Sequence, residues 1–261
     1  MLKILTLSWE GKSKLEKLYP TLLKNLCNVD WEWHVKDNGS SDESYRLNEI
    51  WKNDKVNIIK YKDNKDNFAQ GCNFLFKESS PKDDDLILLL NNDIVFNDEK
   101  SLSNMMDIIK NDKVGAVGAK LKYNNSNLIQ HAGVVFARNG FPIHFKANQN
   151  DDINSSSNRE FQACTGALLL IKSKYFVMDN KYFWCFEDID TCLDIKYNQG
   201  KKIVCCGQTN VAHEESATLK KNPVNKLYLN QNLSYFSSKW NKKINIDYDI
   251  YFKNKQHNIY E

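Results

Sequence analysis

Short apolar runs alternate along the chain with segments whose apolar residues recur at helical spacing, and that alternation predicts the architecture. The clearest run, Leu86-Ile87-Leu88-Leu89-Leu90, ends abruptly in Asn91-Asn92-Asp93. An unbroken apolar strand of this kind fits a sheet covered on both faces. Leu2 to Leu7, Trp31 to Val35, Val56 to Tyr61 and Val114 to Ala119 read as further strands. Between them, Lys14 to Leu26, Glu43 to Trp51, Phe68 to Lys77 and Leu102 to Ile109 read as helices, with Pro20 expected to break or kink the first. This β-α-β-α order predicts a largely parallel sheet of nucleotide-binding type.

The pattern shifts after Lys120. Leu128 to Phe136 and Ala167 to Ile171 are strand-like, the latter followed by a short helix to Met178, and the polar run 148–158 reads as a surface loop. A helix opens in Phe183-Trp184-Cys185-Phe186-Glu187-Asp188-Ile189-Asp190 and closes at Gly200. Lys202 to Cys206 and Gln208 to Ala212 read as two strands leading to His213, and Val224 to Trp240 as a last amphipathic helix. Neither a repeat nor a linker interrupts the chain, so one domain with a C-terminal extension is expected.

Composition narrows the functional classes. With 261 residues, 41% of them hydrophobic, the chain can bury the core of one large α/β domain. A net charge of only +3, with both signs interspersed, argues against nucleic acid as the main partner. The 7 cysteines form an odd set without a C-x-x-C pair, which reads as reduced thiols in a cytoplasmic protein. No signal-peptide pattern and no bilayer-spanning apolar stretch stand out, so a soluble protein is expected. The Lys- and aromatic-rich tail, Lys239 to Tyr260, is a candidate for peripheral contact with the inner face of an anionic membrane.

Polar clusters then fall at strand ends: Asp37, Asn91 to Asp93, Glu187 to Asp190, and His213. A parallel sheet gathers such ends along one edge, where open α/β folds place their ligands. Carboxylate and amide oxygens there suit a hard divalent cation. Each cluster also has a plainer reading. Asp37 fits a turn, the acids fit the first turn of a helix, and His213 fits a satisfied core histidine. It is their order on alternating strands that favours a shared cleft.

Asp37-Asn38-Gly39-Ser40-Ser41-Asp42, Phe68-Ala69-Gln70-Gly71-Cys72-Asn73, Leu89-Leu90-Asn91-Asn92-Asp93 and Glu187-Asp188-Ile189-Asp190 resemble the ordered signatures of bacterial family-2 glycosyltransferases. Gln130-His131-Ala132-Gly133, Thr165-Gly166-Ala167 and His213-Glu214 fall where many members have them, and the likeness covers roughly residues 2–240. The resemblance implies a GT-A fold: a Rossmann-like, mostly parallel central sheet flanked by helices. Residues 1–120 would form the nucleotide-binding half, 121–222 the acceptor-binding half, and 223–261 a C-terminal helix and tail. It further implies inverting transfer of a sugar from a nucleoside-diphosphate donor, with Mn²⁺ or Mg²⁺, to a glycan, lipid-linked or protein acceptor. A UDP-sugar is the favoured donor and dTDP-rhamnose the second.

Carried over by that resemblance, Asp188 is the general base, and Asp93 with His213 holds the metal. Thr6, Ser8, Asp37, Asn67, Asn91, Asn92 and Asp93 face the nucleotide. His131, Thr165, Gly166, Trp184, Glu187 and Asp190 face the substrates. The chain departs from the family pattern at Asn91, where the metal triplet usually has Asp, at Asn67, where relatives usually have Gly, and at Asp194, where Arg is common. Two other readings compete. One is a sugar- or partner-binding module on the same fold with impaired catalysis. The other is a nucleotidyltransferase, for which Ser8-Trp9-Glu10-Gly11-Lys12 is a poor phosphate loop.

Overall fold

Successive residues of Leu86–Leu90 point to opposite faces of a central sheet, and each face meets its own apolar layer. Leu88 and Leu90 join one core cluster, while Ile87 and Leu89 join the other. The protein is described by a computed structural model covering residues 1–63, 66–183, 185–214, 224–253 and 259–260. Strands β1 (Leu2–Ser8), β2 (Trp31–Asp37), β3 (Val56–Lys60) and β4 (Leu86–Leu90) form the parallel part, in the order β4-β1-β2-β3. Helices α1 (Lys12–Asn25), α2 (Leu47–Trp51) and α3 (Phe68–Glu78) cover it. Pro20 does not break α1. Both Pro20 and Glu16, whose carbonyl Pro20 cannot bond, lie on the solvent face, where water can serve that carbonyl.

The second half is mixed, which corrects the expectation of a largely parallel sheet. After β5 (Ile94–Phe96) and α4 (Ser101–Ile109) come β6 (Val114–Tyr123), β7 (Ile129–His131), β8 (Val134–Phe136), β9 (Pro142–His144), β10 (Arg159–Phe161) and β11 (Leu168–Lys172). β11 lies between β4 and β6 and runs antiparallel to both. An apolar run carries no information about direction, so its orientation was invisible in sequence. The expected strand 128–136 is split into β7 and β8 at Gly133, whose φ is +116°. A Cβ there would collide with the Phe161 ring, so the position favours glycine twice over.

Helix α5 (Glu187–Tyr197) precedes β12 (Lys202–His213), one irregular strand where two were expected, with a register shift between Cys206 and Val211. β12 runs parallel to β6 and ends with His213 opposite Ile94 of β5. Helices α6 (Val224–Trp240) and α7 (Tyr248–Lys253) complete the described chain. Phe236, Trp240 and Tyr251 sit in the second core cluster, so the C-terminal helices are packed into the body of the molecule. Among the described residues no helix is long and apolar enough to cross a membrane.

Candidate active site

The carboxyl ends of β1, β2, β4 and β12 reach one edge of the sheet, and the antiparallel β11 begins there. Register therefore brings Ser8, Asp37, Asn91–Asp93, Thr165–Gly166 and His213 to that edge. The Asn91 N–H donates to the Ala167 carbonyl at 2.9 Å, which ties the Asn91–Asp93 turn to the Thr165–Ala167 segment.

Asp93 is almost fully buried, and its Oδ1 lies 3.1 Å from His213 Nε2. His213 Nδ1 lies 2.7 Å from Gln130 Oε1. A carbonyl oxygen only accepts, so Nδ1 donates to it, and Nε2 is the ring nitrogen that faces Asp93 and the Asn91 amide, 3.4 Å away. A carboxylate oxygen and an imidazole nitrogen this close can share a proton or a metal cation. The donor set, one carboxylate, one imidazole with an oriented partner and one amide, fits Mn²⁺ or Mg²⁺. Lys14 Nζ, 3.3 Å from Asp93 Oδ2, supplies positive charge on the other side.

Asp188 stands at the first turn of α5. Its Oδ2 accepts the Gly166 N–H at 2.7 Å and its Oδ1 accepts the Ile189 N–H at 2.8 Å. It is half-buried, and each oxygen keeps a further lone pair for a substrate proton. Glu187 beside it is buried, and its Oε2 has no hydrogen-bond partner among the described residues. Burial, and then the Asp188 charge, pushes the Glu187 carboxyl up to about 8. The pair thus carries one negative charge near neutrality instead of two.

The remaining expected residues divide. Asn92 Nδ2 donates to Ser8 Oγ at 3.0 Å, and Gly11 lies so close to both that a Cβ there would collide with them. Asp37 is at the edge but enclosed, accepting from Ser40 N–H at 2.9 Å and Ser44 Oγ at 3.1 Å, so it builds the turn that follows β2. Thr6 Oγ1 accepts from the Trp33 indole at 2.9 Å. Asn67 caps α3, with Gln70 closing the reciprocal pair. Trp184 lies outside the described residues.

Two residues expected at the substrates are bonded within the protein itself. Asp190 points into the core, where Oδ1 accepts from Tyr182 Oη at 2.9 Å and Trp240 Nε1 at 2.6 Å, and Oδ2 from Lys239 at 2.8 Å. Glu187 and Asp190 are three residues apart on α5, and it is the partners around them that differ, Asp190 being bonded to Tyr182 and to α6. His131 is fully buried, with both ring nitrogens engaged by protein groups. Sequence reasoning assigned no role to Gln130, Lys14 or Asn232. Asn232, on α6, donates to the carbonyls of Phe183 at 2.6 Å and Cys185 at 3.1 Å and so holds the entrance to α5. Only Gln130, inside a quoted motif, carried any signal.

The family model described as Glycosyl transferase family 2 matches residues 12–174, more than half of the chain. The chain belongs to this family. Among curated relatives, this family-2 chain is 29% identical over 195 residues to the O-antigen biosynthesis protein RfbC of Myxococcus xanthus, covering 70% of the chain and 15% of that protein. It is 27% identical over 168 residues to the uncharacterized protein y4gI of Sinorhizobium fredii, covering 60% of the chain and 18% of that protein. The chain thus spans less than a fifth of the length of these relatives.

Solved structures share the fold. GalNAc-T7 with UDP, GalNAc and Mn²⁺ matches at a TM-score of 0.64 and 13% identity, over 82% of this chain and 44% of that one. The mannosyltransferase PcManGT of Pyrobaculum calidifontis, with GDP-Man and Mn²⁺, matches at 0.63 and 12%, over 94% and 65%. TarS 1–349 of S. aureus with UDP-GlcNAc matches at 0.55 and 13%, over 85% and 61%. The fold is GT-A.

Proposed function

We propose that this family-2 chain transfers a sugar from a nucleoside-diphosphate donor to a hydroxyl group of a glycan, lipid-linked or protein acceptor, with inversion at the anomeric carbon. The observation that carries the reading is the bond from Asn91 N–H to the Ala167 carbonyl. It sets the Asp93–His213 pair and the Gly166–Asp188 pair side by side, one suited to a diphosphate and its metal, the other to a proton acceptor.

In this reading the nucleotide lies along the carboxyl edge, its base toward the Asp37 turn and the ends of β1 and β2 where Thr6 and Ser8 stand. Asn91, Asn92 and Asp93, with His213, face the diphosphate, and Asn67 borders the base side. A divalent cation, Mn²⁺ or Mg²⁺, held by Asp93 and His213 would neutralise the charge that grows on the leaving diphosphate. The acceptor hydroxyl gives its proton to Asp188 while its oxygen attacks the anomeric carbon from the side opposite the diphosphate. A single displacement of this kind inverts the carbon. Glu187, protonated near neutrality, keeps a second charge away from the base and has a carboxyl hydrogen to offer a sugar oxygen.

Similar folds bound to UDP or UDP-GlcNAc favour a UDP-sugar, with dTDP-rhamnose the second candidate. The relative named for O-antigen biosynthesis supports a saccharide or lipid-linked acceptor. The Asn91 departure and the Lys14–Asp93 contact favour, as the second reading, a binding module with weakened metal affinity. Titration of UDP-, GDP- and dTDP-sugars with and without Mn²⁺, followed by release of nucleoside diphosphate in the presence of saccharide acceptors, separates the two. Binding without turnover leaves the module. Absence of binding to any nucleotide sinks both.

A further inference from the structure

We infer that His131, held in one tautomer by His144, is a positioning residue that sets the Thr165–Gly166 segment and, through the Gly166 N–H, Asp188. Its catalytic half rests on the reading of Asp188 as the base; its structural half does not. His131 Nε2 accepts the N–H groups of Gly133 at 3.2 Å and Thr165 at 3.3 Å. Backbone N–H groups only donate, so Nε2 carries the lone pair and the ring proton of the neutral imidazole is on Nδ1. Nδ1 lies 2.8 Å from His144 Nδ1. Two nitrogens at that distance share one proton, so His131 donates and His144 accepts, with the His144 proton on Nε2. Burial, then the neighbouring His144 and His213, holds His131 well below the usual imidazole range and keeps it neutral.

The consequence reaches the site through covalent neighbours. Thr165 precedes Gly166, whose N–H bonds Asp188, and Ala167 follows, whose carbonyl bonds Asn91. Gly166 also approaches so closely that a Cβ on it would stand 3.0 Å from the Asp188 Cβ. A shift at Thr165 therefore displaces the carboxylate. The same bonds rule out a different role for His131. Its ligand atom, with the thiols of Cys164 and Cys205, falls in a cluster within 4.8 Å, a spacing that could hold a soft metal. The single lone pair of His131 is already taken by the two N–H donors.

His144 is exposed on β9. A proton added to its Nδ1 would face the Nδ1–H of His131, and two donors cannot share that contact. Among the described residues, the titratable groups around His131 are His144 from β9, His213 and Cys205 from β12, and Cys164 before β11. Burial pushes the Cys164 thiol well up, so it stays neutral.

¹⁵N-labelled full chain, read by long-range imidazole NMR, should show His131 protonated on Nδ1 and bare on Nε2 from pH 6 to 8. A proton on Nε2 overturns the inference, and so does zinc retained one-to-one after dialysis. In the transfer assay His131→Leu should lower kcat roughly a hundredfold with nucleotide affinity unchanged. His131→Gln, which restores an acceptor near Nε2, should recover part of it. Should the Leu variant not fold, His144 decides. His144→Asn keeps an acceptor that cannot titrate, so its acid limb should be flatter than that of the wild type. Superimposable pH profiles overturn the inference. Normal turnover in Asp188→Asn would remove its catalytic half and leave the tautomer measurement to decide the structural half.

Discussion

His213 Nε2 lies 3.1 Å from Asp93 Oδ1 because β12 ends opposite the start of β5, with His213 in register with Ile94. The bond from its other ring nitrogen to Gln130 fixes Nε2 as the atom that faces the carboxylate. Such outer partners of a metal-binding histidine typically contribute about 10- to 100-fold in affinity. Gln130→Leu should weaken Mn²⁺-supported nucleotide binding by that order, and Asp93→Ala should abolish the metal dependence. Calorimetric titration with and without Mn²⁺ checks both, and unchanged affinity in Asp93→Ala would remove the metal assignment.

Asp188→Asn keeps the Gly166 N–H bond within reach of its amide oxygen but removes the proton acceptor. Turnover should fall by about 10²–10⁴-fold, the usual contribution of a general base. Nucleotide affinity should stay within a few-fold of the wild type. Comparing initial rates with equilibrium binding on the same preparation separates the two effects.

Glu187 adds a pH dependence to stability. Its ordinary value is 4.5, and burial with the Asp188 charge raises it to about 8 in the folded chain. Between those values the folded chain holds a proton that the unfolded chain has released. The contribution is therefore fully present below pH 4.5 and is lost as pH rises through about 8. Glu187→Gln should remove this loss, so that its Tm advantage over the wild type widens from pH 5 to pH 9. Parallel melting curves across that range would contradict it.

Asp190 links α5 to α6 through Tyr182, Trp240 and Lys239. Each buried donor left without an acceptor costs about 1–3 kcal/mol. Lys239 keeps Asp179 at 3.2 Å, so the loss falls mainly on Tyr182 and Trp240. Asp190→Ala should lower stability by roughly 2–5 kcal/mol in urea unfolding, with nucleotide affinity preserved in the folded fraction. A variant as stable as the wild type would show that the network is not structural.

Much of the fold was legible because its signals are local. The run Leu86 to Leu90 and its polar end were read with the boundaries the structure shows, and α3 to within one residue at its end, though not its Asn67 cap. Short pieces were missed. β5, β9 and β10 are three residues each and carry no periodicity of their own. The direction of β11 was missed for a different reason: side-chain alternation is the same whichever way a strand runs.

The sequence by itself determined which residue types stand at the strand ends and in what order, because turn chemistry and apolar runs are written locally in the chain. It marked Asp93, Asp188 and His213 as candidates. Only the tertiary structure decided which carboxylates face the cleft. Glu187 and Asp190 are three residues apart on one helix, yet Asp190 is taken by Tyr182, Trp240 and Lys239 while Glu187 keeps an oxygen beside Asp188 with no partner among the described residues. It likewise bonded His131 to the backbone N–H groups of Gly133 and Thr165. Those outcomes depend in large part on partners distant in sequence, such as Thr165 bonding His131 and Lys239 and Trp240 bonding Asp190, 34, 49 and 50 residues away, and long-range packing alone brings such groups within reach.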